Sequence, residues 1–212
     1  MKNWKEVQEE IASDDIHFKF YNSKNPFVRY IHRKRLEIIS KLIDNSKGLR
    51  VLEVGCGDGF VLKALESKGT ELYGIDISPK RVERAKRLVP SAKVYEVNAE
   101  TLPFENNCFN VTVCSEALEH IENPQKAVEE MIRVTKEPGD MIISVPNELN
   151  WRIARLLLLR FPLRISDHIN KFSIKELDSM FGRKHKQLLT IPVFLPTHFC
   201  LTCIVHYKKC AI

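Results

Sequence analysis

The chain has 212 residues, 44% hydrophobic and 28% charged, which suits one globular domain with a sizeable core and excludes disorder. No apolar run approaches the roughly 18 residues of a membrane span. The polar residues 1–10 carry no secretory stretch, so a cytoplasmic protein is expected. The net charge of +6 is uneven: residues 151–212 hold eleven basic and three acidic side chains, against 22 and 24 in residues 1–150. That asymmetry points either to an anionic partner or to a solvated basic face.

Residues 1–50 read as two helical pieces broken near 22–26. The second carries an imperfect stripe of Ile31, Leu36, Ile38, Ile39, Leu42 and Ile43, ending at Gly48. Strands then alternate with helices. Residues 50–54 form an apolar run that stops at a glycine cluster, and 60–67 have helical spacing. Residues 71–77 read as a second strand, and Ser78-Pro79 opens a helix with a cap and a proline at its first position. Strands follow at 93–97 and 110–114. Asn123-Pro124 opens the next helix, and Pro138-Gly139 turns the chain into a fifth strand at 140–145. This alternation predicts an α/β fold, doubly wound around a mainly parallel sheet. Residues 146–170 break the rhythm with a short apolar helix at 151–160. Ser173 to Glu176 fits a capping box, and strand-like runs at 187–194 and 199–207 close the chain.

The six cysteines predict buried or half-buried thiols, since a cytosolic setting argues against structural disulfides. Cys200-x-x-Cys203 lies on a predicted strand, where positions three apart face opposite sides. No second pair completes a zinc site, so no metal is expected.

The chemistry concentrates in Val51-Leu52-Glu53-Val54-Gly55-Cys56-Gly57-Asp58-Gly59. A strand feeds a glycine-rich turn and then a helix, whose free N–H groups favour an anionic ligand group. The dinucleotide fingerprint is GxGxxG, but Phe60 occupies the third glycine's place, giving GxGxG. Asp76, at the end of the second strand, is suited to accept hydrogen bonds from ribose hydroxyls. An adenosine-containing ligand at the carboxyl ends of the strands is the expectation, with a nicotinamide enzyme disfavoured.

Four stretches in register identify a family. ExGCGxG at Glu53–Gly59, Asp76, Asn98-Ala99-Glu100-Thr101-Leu102-Pro103-Phe104 and Ser115-Glu116-Ala117-Leu118-Glu119-His120-Ile121 resemble class I S-adenosylmethionine (SAM)-dependent methyltransferases. The last two are similar to signatures of the small-molecule, ubiquinone-biosynthesis (methyltransferase type 11) group. The resemblance covers residues 49–147 well and 168–205 loosely. It implies a Rossmann-like seven-stranded sheet with N-terminal helices and a helical lid, and S-adenosyl-L-methionine as cofactor. By that resemblance Glu53 and the turn from Gly55 through Cys56 and Gly57 to Gly59 hold the methionine end. Asp76 grips the ribose, with Ile77 against the adenine, and Asn98 and Ala99 meet the adenine edge. Ser115 and Glu116 lie beside the methyl donor. Relatives have aspartate where this chain has Asn98, whose side-chain oxygen serves the same contact.

Methyl transfer is an in-line displacement, and a base is needed only if the acceptor must lose a proton. His120 is the leading candidate and His168 the second. Glu119 reads as a surface or helix charge. The Asn-Pro-Pro-aromatic stretch of amino-methylating enzymes, the Pro-Cys of cytosine-C5 enzymes and the paired-glutamate loop of arginine methyltransferases are missing. An oxygen or carbon nucleophile on a small or lipid-like molecule remains, with nucleic acid disfavoured. The alternatives are an RNA methyltransferase using the basic last third and a catalytically silent SAM-binding module. The expected layout is one domain: a helical cap at 1–48, a cofactor core at 49–147, a lid insertion at 148–172, and a final helix and strand pair at 173–212. Arg152, Arg155 and Arg160 on the apolar lid helix would suit peripheral membrane contact.

Overall fold

The computed structural model describes residues 24–43, 48–157, 169–182, 187–192 and 200–209. The first predicted N-terminal helix, the far end of the lid and His168 lie outside these residues.

Helix α1 (Pro26–Leu42) starts at Asn25, whose side chain accepts from the N–H groups of Phe27 and Val28. Strand β1 (Arg50–Val54) leads through the glycine turn into α2 (Phe60–Leu65), extended by a 3-10 turn at Glu66–Lys68. Then come β2 (Glu71–Asp76), α3 (Pro79–Leu88), β3 (Lys93–Glu96) and β4 (Phe109–Ser115). A 3-10 turn (Leu118–His120) and α4 (Pro124–Val134) precede β5 (Thr135–Pro146). The remainder is α5 (Glu148–Leu157), α6 (Ile174–Met180), β6 (Gln187–Pro192) and β7 (Cys200–Lys209). All three predicted caps form: Ser78 accepts from Arg81 N–H, Asn123 from Lys126 N–H, and Ser173 and Glu176 make a reciprocal box. Each such cap contributes about 1 kcal/mol.

The largest difference in strand extent is at β5. β5 begins directly after α4 rather than at residue 140, because Thr135 already pairs with Phe109; a register shift then brings Asp140 opposite Val111. Pro138 and Gly139 sit inside that irregularity.

The seven strands run in the order β3-β2-β1-β4-β5-β7-β6. β7 is antiparallel to both neighbours, and the β1–β5 pairings are parallel. Helices cover both faces. On one, Ile31 and Ile39 of α1 pack with Leu62 of α2, Val82 of α3 and Leu201 of β7. On the other, Val128 and Met131 of α4 pack with Phe109, Leu177 of α6 and Tyr207. The chain winds outward from β1 to β3, then restarts at β4 on the other side of β1. In doubly wound sheets, ligands bind at the carboxyl ends of the strands at this reversal.

Candidate cofactor and acceptor site

At the reversal, the turn after β1 meets the turn after β4. Gly55 has φ +71°, and a Cβ there would lie 2.4 Å from the Ala117 Cβ. Only glycine lets the two turns approach so closely. Gly57 has φ +50° with no heavy atom within 4 Å of a would-be Cβ, so its backbone borders open space. Gly59 is the N-cap of α2. Cys56 is buried; its N–H donates to Ile75 O at 2.8 Å, continuing the ladder to β2. Burial and the nearby Asp76 push its thiol well up, so it stays protonated and inert. Asp58 is buried and accepts from Arg84 of α3 at 3.4 Å.

Asp76 is 5% exposed. Its two carboxylate oxygens accept the N–H of Gly57 at 2.8 Å and of Ser78 at 2.9 Å. A carboxylate has about four acceptor positions, so two remain for ribose hydroxyls. Burial raises its pKa, while Arg81 and the two N–H donors act to hold it charged. Ile77 is half-buried beside it. Glu53 is 2% exposed at the end of β1, and its carboxyl accepts from Leu62 N–H in α2. Burial drives its pKa well above the usual carboxylate value.

Asn98 is exposed, and its side-chain oxygen accepts from Glu100 N–H at 2.9 Å, so one of that oxygen's two acceptor positions is already used. Ala99 is buried. The rest of this motif is a structural pin: Arg133 of α4 donates to the Leu102 and Phe104 carbonyls, and Glu130 accepts Leu102 N–H at 2.7 Å. That holds the turn after β3 beside Asp76.

Ser115 shares a hydrogen bond with Ser144 at 3.0 Å. Glu116 takes φ +52°, donates its N–H to Ser144 O, and pairs with Arg35 of α1 at 3.3 Å. Arg35 is 6% exposed and is a site residue that sequence reasoning missed. The available signal was its place in the stripe Ile31–Arg35–Ile39, a cation at a core-facing step. His120 is half-buried in the 3-10 turn after β4. Of the two readings of Glu119, a surface or a helix charge, the surface one fails: it lies in the 3-10 turn and is 1% exposed, where the chain returning from the lid covers it. Ile169 and Asn170 donate their N–H groups to its carbonyl, and Asn170 Nδ2 donates to Ile121 O. Among the described residues no His, Cys, Asp and Glu cluster fits a metal ion.

This geometry fits the adenosine of SAM. A buried acid with spare acceptor positions, a half-buried aliphatic neighbour and an open glycine backbone sit together. Residues 52–143 match the family model for a methyltransferase domain. Over this core the chain is similar to SAM-dependent methyltransferases, enzymes of ubiquinone biosynthesis among them. It is 30% identical over 122 residues to a ubiquinone biosynthesis O-methyltransferase of Alkalilimnicola ehrlichii, covering 55% of this chain and 49% of that one. It is also 30% identical over 112 residues to a demethylmenaquinone methyltransferase of Paenarthrobacter aurescens, covering 53% and 44%. The chain thus spans about half the length of the curated relatives it matches. Its fold matches the magnesium protoporphyrin IX methyltransferase of Synechocystis, crystallised with SAH, with a TM-score of 0.74 at 16% identity over 97% of this chain and 99% of that one.

Two outcomes follow. Gly55→Ala should lower the melting temperature strongly, through the Ala117 clash. Gly57→Ala should cost only the left-handed strain of about 1–2 kcal/mol while weakening S-adenosylhomocysteine binding at least tenfold; thermal melts and calorimetry separate the two. The second outcome concerns pH. The folded chain keeps a proton on Glu53 that the unfolded chain releases above about pH 4. Stability is therefore lost as pH rises from there towards the raised folded value. Glu53→Gln removes that loss, so urea midpoints from about pH 5 to pH 8 should fall more for the wild type than for the variant.

Proposed function

We propose that this protein binds S-adenosyl-L-methionine at the Gly55–Gly59 turn and methylates an oxygen or carbon nucleophile on a small or lipid-like molecule. The observation that carries the reading is Asp76: one buried carboxylate fixes the glycine turn through Gly57 N–H and keeps acceptor positions for a ribose. The bound cofactor supplies an electrophilic methyl group on a sulfonium. The chain's own part is alignment and exclusion of water. Ile77 and Ala99 flank the adenine, the open Gly57 backbone receives the methionine end, and Glu53 braces that turn from below. Ser115, Glu116 and Arg35 form the floor on the acceptor side. His120, at the rim, holds the acceptor proton where one must leave; His168 is the second candidate.

The ubiquinone and menaquinone enzymes among the relatives support a quinone-like phenol or a related ring carbon as acceptor. Methyl-tritiated SAM with a polyprenylated catechol tests this. The wild type should label the lipid extract, and Asp76→Asn, which turns an amide N–H towards a backbone donor, should raise the KM for SAM at least tenfold with a smaller change in kcat. Equal KM values would remove Asp76 from the cofactor site.

Peripheral membrane contact would suit such an acceptor. Leu149 and Leu156 on α5 are 65% and 52% exposed, with exposed Arg152 on the same face. No helix among the described residues is long and apolar enough to cross a membrane, whereas this face suits the interface. The chain should float with vesicles rich in phosphatidylglycerol and not with neutral ones, and Leu156→Asp should reduce the floated fraction severalfold. Equal flotation of the variant would assign the contact elsewhere.

A further inference from the structure

Cys200 and Cys203 do not face opposite sides: their sulfurs lie 3.5 Å apart. The cause is a β-bulge. Along β6 and β7, Ile191 pairs with Thr202 but Pro192 pairs with Cys200, leaving Leu201 as an extra residue. One inserted residue shifts the alternation, so positions three apart share a face. Leu201 and Ile204 obey the same shift and pack together in the core on the α1 side. Two asparagines hold the bulge: Asn147 N–H donates to Leu201 O at 2.8 Å, and Asn150 Nδ2 to Cys200 O at 2.8 Å.

The sulfur of Cys200 also has two donors, the Cys203 thiol and Asn147 Nδ2 at 3.8 Å. These hold the Cys200 thiol below its ordinary value, while the partner sulfur and burial hold Cys203 above its own. When the pair gives up a proton, the charge therefore falls on Cys200. By contrast Cys56 and Cys114 are buried thiols raised far from reactivity. Cys200 is only 5% exposed, so a reagent for it must be small.

We propose that Cys200 and Cys203 are a peroxide-sensitive dithiol that closes reversibly to a disulfide at the carboxyl end of β5. The Cys200 thiolate attacks one oxygen of a hydroperoxide such as H2O2. The O–O bond breaks, hydroxide leaves and takes up the proton Cys200 had released, forming water, and Cys200 becomes a sulfenic acid. The Cys203 sulfur then attacks Cys200 Sγ; the S–O bond breaks, and that oxygen leaves as water with the Cys203 proton. The sum is two thiols and one H2O2 giving one disulfide and two waters. The sulfurs need approach only from 3.5 Å to about 2.05 Å. Closure removes the thiolate that accepts from Asn147 and ties down Cys203, which lies within electrostatic reach of Glu116, so it acts on the acceptor side of the site.

The test is independent of methyl transfer. The full chain is treated with H2O2, its remaining thiols are blocked with iodoacetamide, and it is digested with trypsin. Residues 187–208 form one peptide holding only these two cysteines. It should become two hydrogens lighter and unalkylated, and dithiothreitol should reverse this. In Cys203→Ser, whose fold is checked by circular dichroism, dimedone should trap sulfenic acid on Cys200 with no peptide closure. A peptide alkylated at both cysteines after peroxide, or a link from either to Cys210, would overturn the proposal.

Discussion

The carboxylate of Asp76 is the interaction on which the site depends. It stands at the end of β2, accepts Gly57 N–H from the turn after β1, and accepts Ser78 N–H at the start of α3. One side chain thus joins two strands, a loop and a helix terminus. A backbone with positive φ at Gly55, Gly57 and Gly59 has little intrinsic reason to hold one shape. Without an acceptor at Asp76, Gly57 N–H would turn to solvent, and the surface that borders the ligand space would lose its form. The cost is a buried acid, offset by those two donors and by Arg81.

Around that point two groups of residues meet at the sheet's reversal. Gly55 against Ala117 brings the turns after β1 and β4 into contact, so the two halves of the sheet share one cleft. On the cofactor half, Arg133 and Glu130 pin the loop after β3. On the other half, Arg35 reaches in from α1 to meet Glu116, and residues 169–170 dock on the carbonyl of Glu119. That half thus joins the turn after β4 to segments before β1 and after β5.

This division explains what the sequence made legible. The strands, their order of appearance, the three helix caps and the turn from Glu53 to Gly59 depend on local pattern, and they form close to where the pattern predicts. Asp76 was legible because a strand end fixes its position. Arg35 was not, because a lone basic residue in an imperfect stripe resembles the solvated side of a helix until the ion pair with Glu116 is seen. The burial of Glu119 was not legible for the same reason: what covers it comes from fifty residues downstream. The facing sulfurs of Cys200 and Cys203 depend on a register shift against β6, which no strand shows by its own alternation.

The most direct test of the account is a calorimetric titration of the full chain with S-adenosylhomocysteine, with NADH in a parallel cell. Both ligands carry adenosine, and Phe60 in place of a third glycine is what separates the two readings of the turn. Micromolar binding of S-adenosylhomocysteine with no heat from NADH is the predicted result. Binding of NADH, or of neither ligand, would contradict the assignment of the Gly55–Gly59 turn and Asp76 as a SAM site.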